Sequence, residues 1–235
     1  MDAARSAVQI PAFPVFGWFG NSPPEFRREV LALARPRSHP AGTVFYQAGD
    51  RGPDVHGVVT GVVTLQGRFT HPDAVLLHMV HPGEWFGTSP VLFDQTHLVT
   101  ATARTDVEVL RIPGDELRTL LRRRPEWFYE FAQDAVYSLD LAMQGAADLL
   151  IRDATARCAA VLLRLARRRW AHAPDGDTPG EIPASQTEIA MLCNVSRNTF
   201  SRVVNEFAAQ GLLTTRYRST TLHEPARLRT IANGG

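Results

Sequence analysis

The residues with the clearest chemical potential are Arg197, Asn198, Ser201 and Arg202, with Asn205 one turn further on. A guanidinium presents two parallel donors that match guanine O6 and N7, and an asparagine amide matches adenine N6 and N7. Two guanidiniums and two amides at helical spacing, with one acid nearby (Glu206), suit the reading of base edges in a DNA major groove. The same pattern would also serve as the solvated face of a helix in an all-helical bundle. Spacing alone leaves both readings open.

Residues 185–208, SQTEIAMLCNVSRNTFSRVVNEFA, must position that face, and they read as two helices joined by a tight turn. Ser185 and Glu188 have capping-box spacing, in which each satisfies a backbone donor at the other's end of the first turn. Ile189, Ala190 and Leu192 give the first helix an apolar side. Asn194 stands where the turn needs a residue tolerant of positive φ, and Ser196 is placed to cap the second helix. Phe200, Val203, Val204 and Phe207 then form an apolar stripe at i, i+3, i+4 and i+7, opposite the polar face. Residues 212–216 and 220–223 are short β-prone runs around Tyr217, which predicts a small hairpin carrying Arg216 and Arg218. Arginines beside a recognition helix are suited to phosphates, which add affinity without specificity.

Composition supports this division of labour. At 235 residues the chain can hold two modest domains. Residues 1–150 carry thirteen Arg against seventeen acids, about −4, whereas residues 151–235 carry twelve Arg against seven acids, about +5. The C-terminal part is thus the one suited to a polyanion. All 25 basic residues are Arg, and there is no Lys. The two cysteines, Cys158 and Cys193, lie far apart in apolar helical contexts and read as buried structural thiols. The N-terminus lacks the pattern of a signal peptide, and no apolar run reaches membrane-spanning length, which predicts a cytoplasmic protein with no membrane partner.

Along the chain, residues 1–21 read as an irregular, aromatic-rich lead whose Phe13, Phe16, Trp18 and Phe19 are expected to pack on the next domain. Ser22-Pro23-Pro24-Glu25 predicts a helix start with Ser22 as cap, ended by Pro36. Short β-rich runs follow at residues 43–47, 55–60, 62–66, 75–80, 98–103 and 107–112, punctuated by glycine, which predicts a roll or barrel. Helical character returns at residues 115–124 and after Pro125. There Ala135, Leu139, Ala142, Ala146 and Leu149 recur at 4-3-4-3 spacing, a narrow heptad seam suited to a parallel homodimer. A helix buried within one subunit is the alternative. Val136, Met143 and Leu150 flank the seam and are expected to pack on the β domain. A helix over residues 153–170 and a surface loop over 171–181 complete the reading.

This order of elements resembles the cyclic-AMP receptor and fumarate–nitrate regulator family, Crp/Fnr. The resemblance runs through GTVFYQAGD, VVTGVVTLQG, HPGEWFG and SRNTFSRVVNEF followed by GLL, and so covers nearly the whole chain. It implies an α+β architecture: an N-terminal β-roll or jelly-roll sensor over residues 1–124, a dimerisation helix over 125–152 and a C-terminal winged helix-turn-helix over 153–235. It further implies a homodimer that binds double-stranded DNA through Ser196, Arg197, Asn198, Thr199, Ser201, Arg202, Arg216 and Arg218, and that works with RNA polymerase. The recognition helix of well-known members is similar to Arg-Glu-Thr-x-x-x-Arg. Counted from Ser196, Arg197, Thr199 and Arg202 keep the family spacing, and Asn198 replaces the Glu. Glu accepts from cytosine, whereas Asn pairs with adenine, so the half-site is expected to change at that base pair.

The sensor departs further from the family pattern. Cyclic-AMP binders resemble one another in a Glu after the PGExFG glycine and an Arg-Ser pair shortly after. Here Thr88 follows Gly87, His97-Leu98 fall at the Arg-Ser positions, and Ala142-Met143 replace the adenine-binding hydroxyls. Without a guanidinium the phosphate lacks its strongest partner, so cyclic AMP is not the expected effector. The residues expected to line an effector pocket are Trp85, Phe86, Gly87, Thr88, His97, Leu98, Leu139, Ala142 and Met143. An iron–sulfur cluster needs clustered cysteines that this chain lacks. Haem is not excluded, since His56, His71, His78, His81 and His97 lie in the sensor, although each reads more readily as a surface or edge-strand histidine. Two other classes compete with a DNA-binding regulator. A small-molecule-binding regulatory or scaffold module without DNA binding is the alternative. An enzyme is not expected, because no metal triad, phosphate loop or nucleophile elbow is present, and Glu84 with nearby histidines is too loose a constellation.

Overall fold

The glycine-punctuated runs pair as two antiparallel four-stranded sheets. The computed structural model describes residues 13–14, 17–68, 74–169 and 178–234, and they divide into two compact units between Ser138 and Leu139. In the first unit, β1 (Arg35–His39), β2 (Val44–Tyr46), β3 (Asp54–Thr60), β4 (Val63–Gly67), β5 (Val75–Val80), β6 (Trp85–Phe86), β7 (Thr100–Ala103) and β8 (Val107–Pro113) make the roll. One sheet has the order β1-β8-β3-β6 and the other β2-β7-β4-β5.

Alternation along β3 and β8 sorts their side chains to two cores. Val58 and Val109 face the roll interior with Tyr46, Val63, Phe86 and Ala101. Val55, Val59, Leu110 and Ile112 face outward against Phe13, Trp18, Phe19, Phe26 and Trp85. That outer cluster is built by α1 (Gly17–Asn21), α2 (Pro24–Ala32), α4 (Gly114–Arg123) and the first turns of α5 (Phe128–Leu150). The aromatic lead thus packs as expected, apart from Phe16, which lies outside the described residues.

Several local expectations are corrected. Ser22 does not cap α2: its hydroxyl donates to the Phe19 carbonyl at 2.7 Å, and Pro23 occupies the cap position. Residues 35–39, where the helix was expected to end at Pro36, form β1 instead. This strand sits at a sheet edge, where Pro36 costs no interior ladder bond. α1, within the lead expected to be irregular, β6 and the short α3 (Thr88–Phe93) were also hidden, being too brief for periodicity.

In the second unit α6 (Ala154–Leu165) is shorter than the expected 153–170 helix and is capped by Asp153, which accepts from the Ala156 N–H at 2.7 Å. The expected loop ends early, in β9 (Gly180–Ile182). Then come α7 (Gln186–Leu192), α8 (Arg197–Ala209), β10 (Leu213–Arg216), β11 (Ser219–Leu222) and α9 (Pro225–Ala232). β9 joins the hairpin to give a sheet of order β10-β11-β9. Among the described residues no helix is long and apolar enough to cross a membrane.

Candidate nucleic-acid interface and sensor

The turn between α7 and α8 forms as its residue types dictate. The Ser185 hydroxyl accepts from the Glu188 N–H at 3.2 Å, and Glu188 Oε2 accepts from the Ser185 N–H at 2.8 Å, completing the capping box. Asn194 takes φ 49°, and its N–H donates to the Met191 carbonyl at 3.0 Å. Ser196 caps α8 by accepting from the Thr199 N–H at 3.0 Å, and the two hydroxyls share a 2.9 Å hydrogen bond. One element was not legible in the sequence. Arg157 of α6 donates to the Cys193 carbonyl at 2.7 Å and also to Ile151 and Arg152, which clamps the turn from beneath.

On α8 the stripe of Phe200, Val203, Val204 and Phe207 is fully buried, while Arg197, Asn198, Arg202 and Asn205 are exposed. Ser201 and Thr199 are half-buried at the edge of that face. Arg202 is held by Glu206 at 2.8 Å, an exposed i,i+4 pair of about 0.3–0.5 kcal/mol that a stronger acceptor displaces. In the wing, Arg216 and Arg218 are exposed on either side of Tyr217, itself 91% exposed, and Arg218 takes the left-handed conformation at φ 56°. The structure therefore gathers the sequence-predicted residues into one helix face and one hairpin tip of the same unit.

Beneath them, Cys158 and Cys193 are fully buried and hydrogen-bonded to each other, which pushes the Cys193 thiol up and holds that of Cys158 down. Both read as structural. At the start of the unit, Asp148 accepts from Arg164 Nε at 2.8 Å, with Arg169 at 3.9 Å. The Asp148 and Arg164 side chains are 5% and 8% exposed, so the pair fixes the end of α5 to α6.

In the first unit the expected sensor residues are separated rather than gathered. Trp85 and Phe86 lie on opposite faces of β6, Trp85 in the outer aromatic cluster and Phe86 in the roll interior. Gly87 takes φ 82°, and a Cβ there would stand 2.9 Å from the Asp54 carbonyl, so this turn requires glycine. Thr88 is buried. His97 is 4% exposed and stacked on Tyr46 with ring centroids 3.4 Å apart, whereas its neighbour Leu98 is 75% exposed. Leu139, Ala142 and Met143 are exposed residues of α5 in the other unit. Of the histidines open to a haem reading, His56 packs against Phe45 and Phe86, and His97 against Tyr46. His71 lies outside the described residues.

A buried acidic cluster, too loose in sequence to propose chemistry, is drawn together by the fold. Glu84 accepts from Tyr137 Oη at 3.0 Å and from the His81 N–H at 2.8 Å, with His78 Nε2 at 3.8 Å. Asp134, 7% exposed on α5, is pushed up to about 7. Burial is the main cause; the Thr88 hydroxyl and the Trp18 indole oppose it, and the charge of Glu84 adds to it.

Comparison with known proteins agrees with this geometry. Residues 36–124 match the family of the cyclic nucleotide-binding domain, and residues 156–231 match the Crp-like helix-turn-helix domain. A CRP-like cAMP-activated global transcriptional regulator of Mycobacterium tuberculosis is 26% identical, over 90% of this chain and 94% of its own length. The chain belongs to the Crp/Fnr family of transcription regulators. The transcriptional regulator SdrP of Thermus thermophilus is 28% identical, over 83% of this chain and 93% of its own. The crystal structure of a CRP/FNR family transcriptional regulator, also from Thermus thermophilus, superposes with a TM-score of 0.64 at 27% identity, covering 85% of this chain and 98% of that one. As a Crp/Fnr member the protein is a DNA-binding transcription regulator, and its relatives are regulators rather than enzymes.

Proposed function

We propose that the protein acts in the cytoplasm as a homodimer that reads two DNA half-sites and signals to RNA polymerase. The observation that carries the reading head is the exposed set Arg197, Asn198 and Arg202 on α8, opposite a fully buried stripe. Arg197 and Arg202 would read guanines, Asn198 an adenine, and Ser196, Thr199, Ser201, Arg216 and Arg218 would hold phosphates. The domains would be a sensor over 1–124, a dimerisation helix over 125–152 and a reading head over 153–235. Ala135, Leu139, Ala142, Ala146 and Leu149 are all exposed, so a second copy of α5 would remove an unpartnered apolar stripe from water. Half-sites one helical turn apart, about 34–36 Å, would follow from the two-fold axis.

The effector is not cyclic AMP in this reading. Thr88 and His97-Leu98 offer neither a carboxylate for the ribose nor a guanidinium for the phosphate, and Leu98 points to solvent.

Selection of preferred sites from random DNA, followed by fluorescence anisotropy, tests the proposal. Arg197→Ala and Arg202→Ala should each weaken binding by about 1–3 kcal/mol while circular dichroism stays unchanged. Recovery of the unaltered family half-site would remove the role assigned to Asn198. Unchanged affinity in both arginine variants would remove the interface itself.

A further inference from the structure

We propose that a cleft between β1, β2, β3 and β8 binds a small organic anion with a planar apolar body and a carboxylate or phosphate head. The cleft has a volume of about 300 Å³, at the lower end of the range of small-molecule sites. Arg37, Phe45, Tyr46, His56, His97 and Arg111 line it. It shares only His97 with the pocket expected from the family resemblance, and no residue of α3, β6 or α5 contributes to it. The inference rests on the regulator reading only for its consequence, control of DNA binding; the site stands on its own geometry.

The first argument is polar satisfaction. His56 Nδ1 and His97 Nε2 are both buried without a hydrogen-bond partner, on residues that are 8% and 4% exposed. Burying such a group unpaired is unfavourable, so the orphan on His56, which lines the cleft, points to a ligand that satisfies it, whereas His97 Nε2 abuts Gly52. Their positions are set by the fold. His56 lies flat on Phe86, with centroids 5.0 Å apart and planes at 17°. His97 is held by its backbone: its N–H donates to the Asp50 carbonyl at 2.9 Å, and its carbonyl accepts from the Gly49 N–H at 2.8 Å. A Cβ at Gly52 would stand 2.1 Å from His97 Nε2, so the loop permits no side chain there.

The second argument is charge. Burial, reinforced by Arg111, His39 and His97, lowers His56 to about 3, and burial also lowers His97, so both rings are neutral at about pH 7. Arg111 spends Nε and Nη2 on Asp54, at 2.7 and 3.0 Å, which cancels one charge. Arg37 donates to the Pro36 carbonyl at 2.9 Å and forms no ion pair among the described residues. One guanidinium is left without a counter-charge beside the aromatic wall of Phe45 and Tyr46, and charge-assisted pairing with a carboxylate or phosphate completes it.

Calorimetric titration of the full-length protein, without DNA, with benzoate, phenyl phosphate and the neutral benzyl alcohol tests the site. At least one anion should bind saturably, about tenfold or more tighter than benzyl alcohol, and the stronger of the two tells carboxylate from phosphate. Arg37→Gln should weaken that anion about tenfold, and Arg37→Lys should restore part of the loss. The same titration followed by NMR of the wild-type protein should move the His56 and His97 ring resonances, which keeps the test valid if a variant folds poorly. Absence of saturation up to about 10 mM, equal binding of benzyl alcohol, or indifference to Arg37→Gln in a folded variant would overturn the proposal. Binding of the anion by a protein that binds no DNA would remove the regulator reading and leave this site standing.

Discussion

Asp134→Asn should remove one pH-dependent contribution to stability. The carboxyl sits on α5 facing Glu84, Thr88 and Trp18, with Tyr137 and His78 also gathered around Glu84. Its pKa is about 7 when folded against 3.8 when unfolded. Because the folded value is the higher one, the folded state holds more protons between these limits. Stability from this group is then fully present below about pH 4 and is lost as pH rises through about 7. A gap of roughly three units at about 1.36 kcal/mol each amounts to about 4 kcal/mol. Asn carries no charge to desolvate. The stability difference between variant and wild type should therefore grow from about pH 4 to about pH 8 by up to about 4 kcal/mol, whatever constant offset the new amide introduces. Urea unfolding at a series of pH values reads this directly. Trp18, Trp85 and Trp127 all lie in the first unit and report on it by fluorescence. A difference that stays constant within about 0.5 kcal/mol across that range would refute the reasoning, because a desolvated carboxylate cannot be pH-neutral.

Two further outcomes follow from the second unit. Asp148→Ala leaves Arg164 buried without its partner and should destabilise that unit by about 3–5 kcal/mol, measured by urea unfolding. Leu139→Arg places a charge in the exposed seam of α5 and should convert a dimer to a monomer in sedimentation equilibrium without changing the helical circular dichroism. A dimer that survives would remove α5 as the interface.

How legible each part was depends on how local its physics is. The reading head was legible almost to the residue. Capping boxes, a positive-φ asparagine and a 3-4 apolar stripe act over a few neighbouring positions, and the structure realises each of them at Ser185, Asn194 and Phe200 to Phe207. Val136 was not: expected to pack on the β domain, it is exposed within the first unit, because periodicity assigns a side to a helix but not a partner. Likewise β1 was unreadable because its residues are polar and include Pro36, and only the edge of a sheet made by β8 gives them strand geometry.

The sensor marks the boundary most clearly. The sequence by itself determined a glycine-punctuated roll, since turn residues and strand alternation act over a few neighbouring positions. Only the tertiary structure decided that Trp85 and Phe86 diverge to separate cores and that Arg37, His56, His97 and Arg111, up to 74 positions apart, surround one cleft. The physical reason is that antiparallel register pairs β3 with β8 across more than fifty residues, so that His56 meets Arg111. No local propensity encodes that meeting; it is fixed when the two sheets close on a common interior.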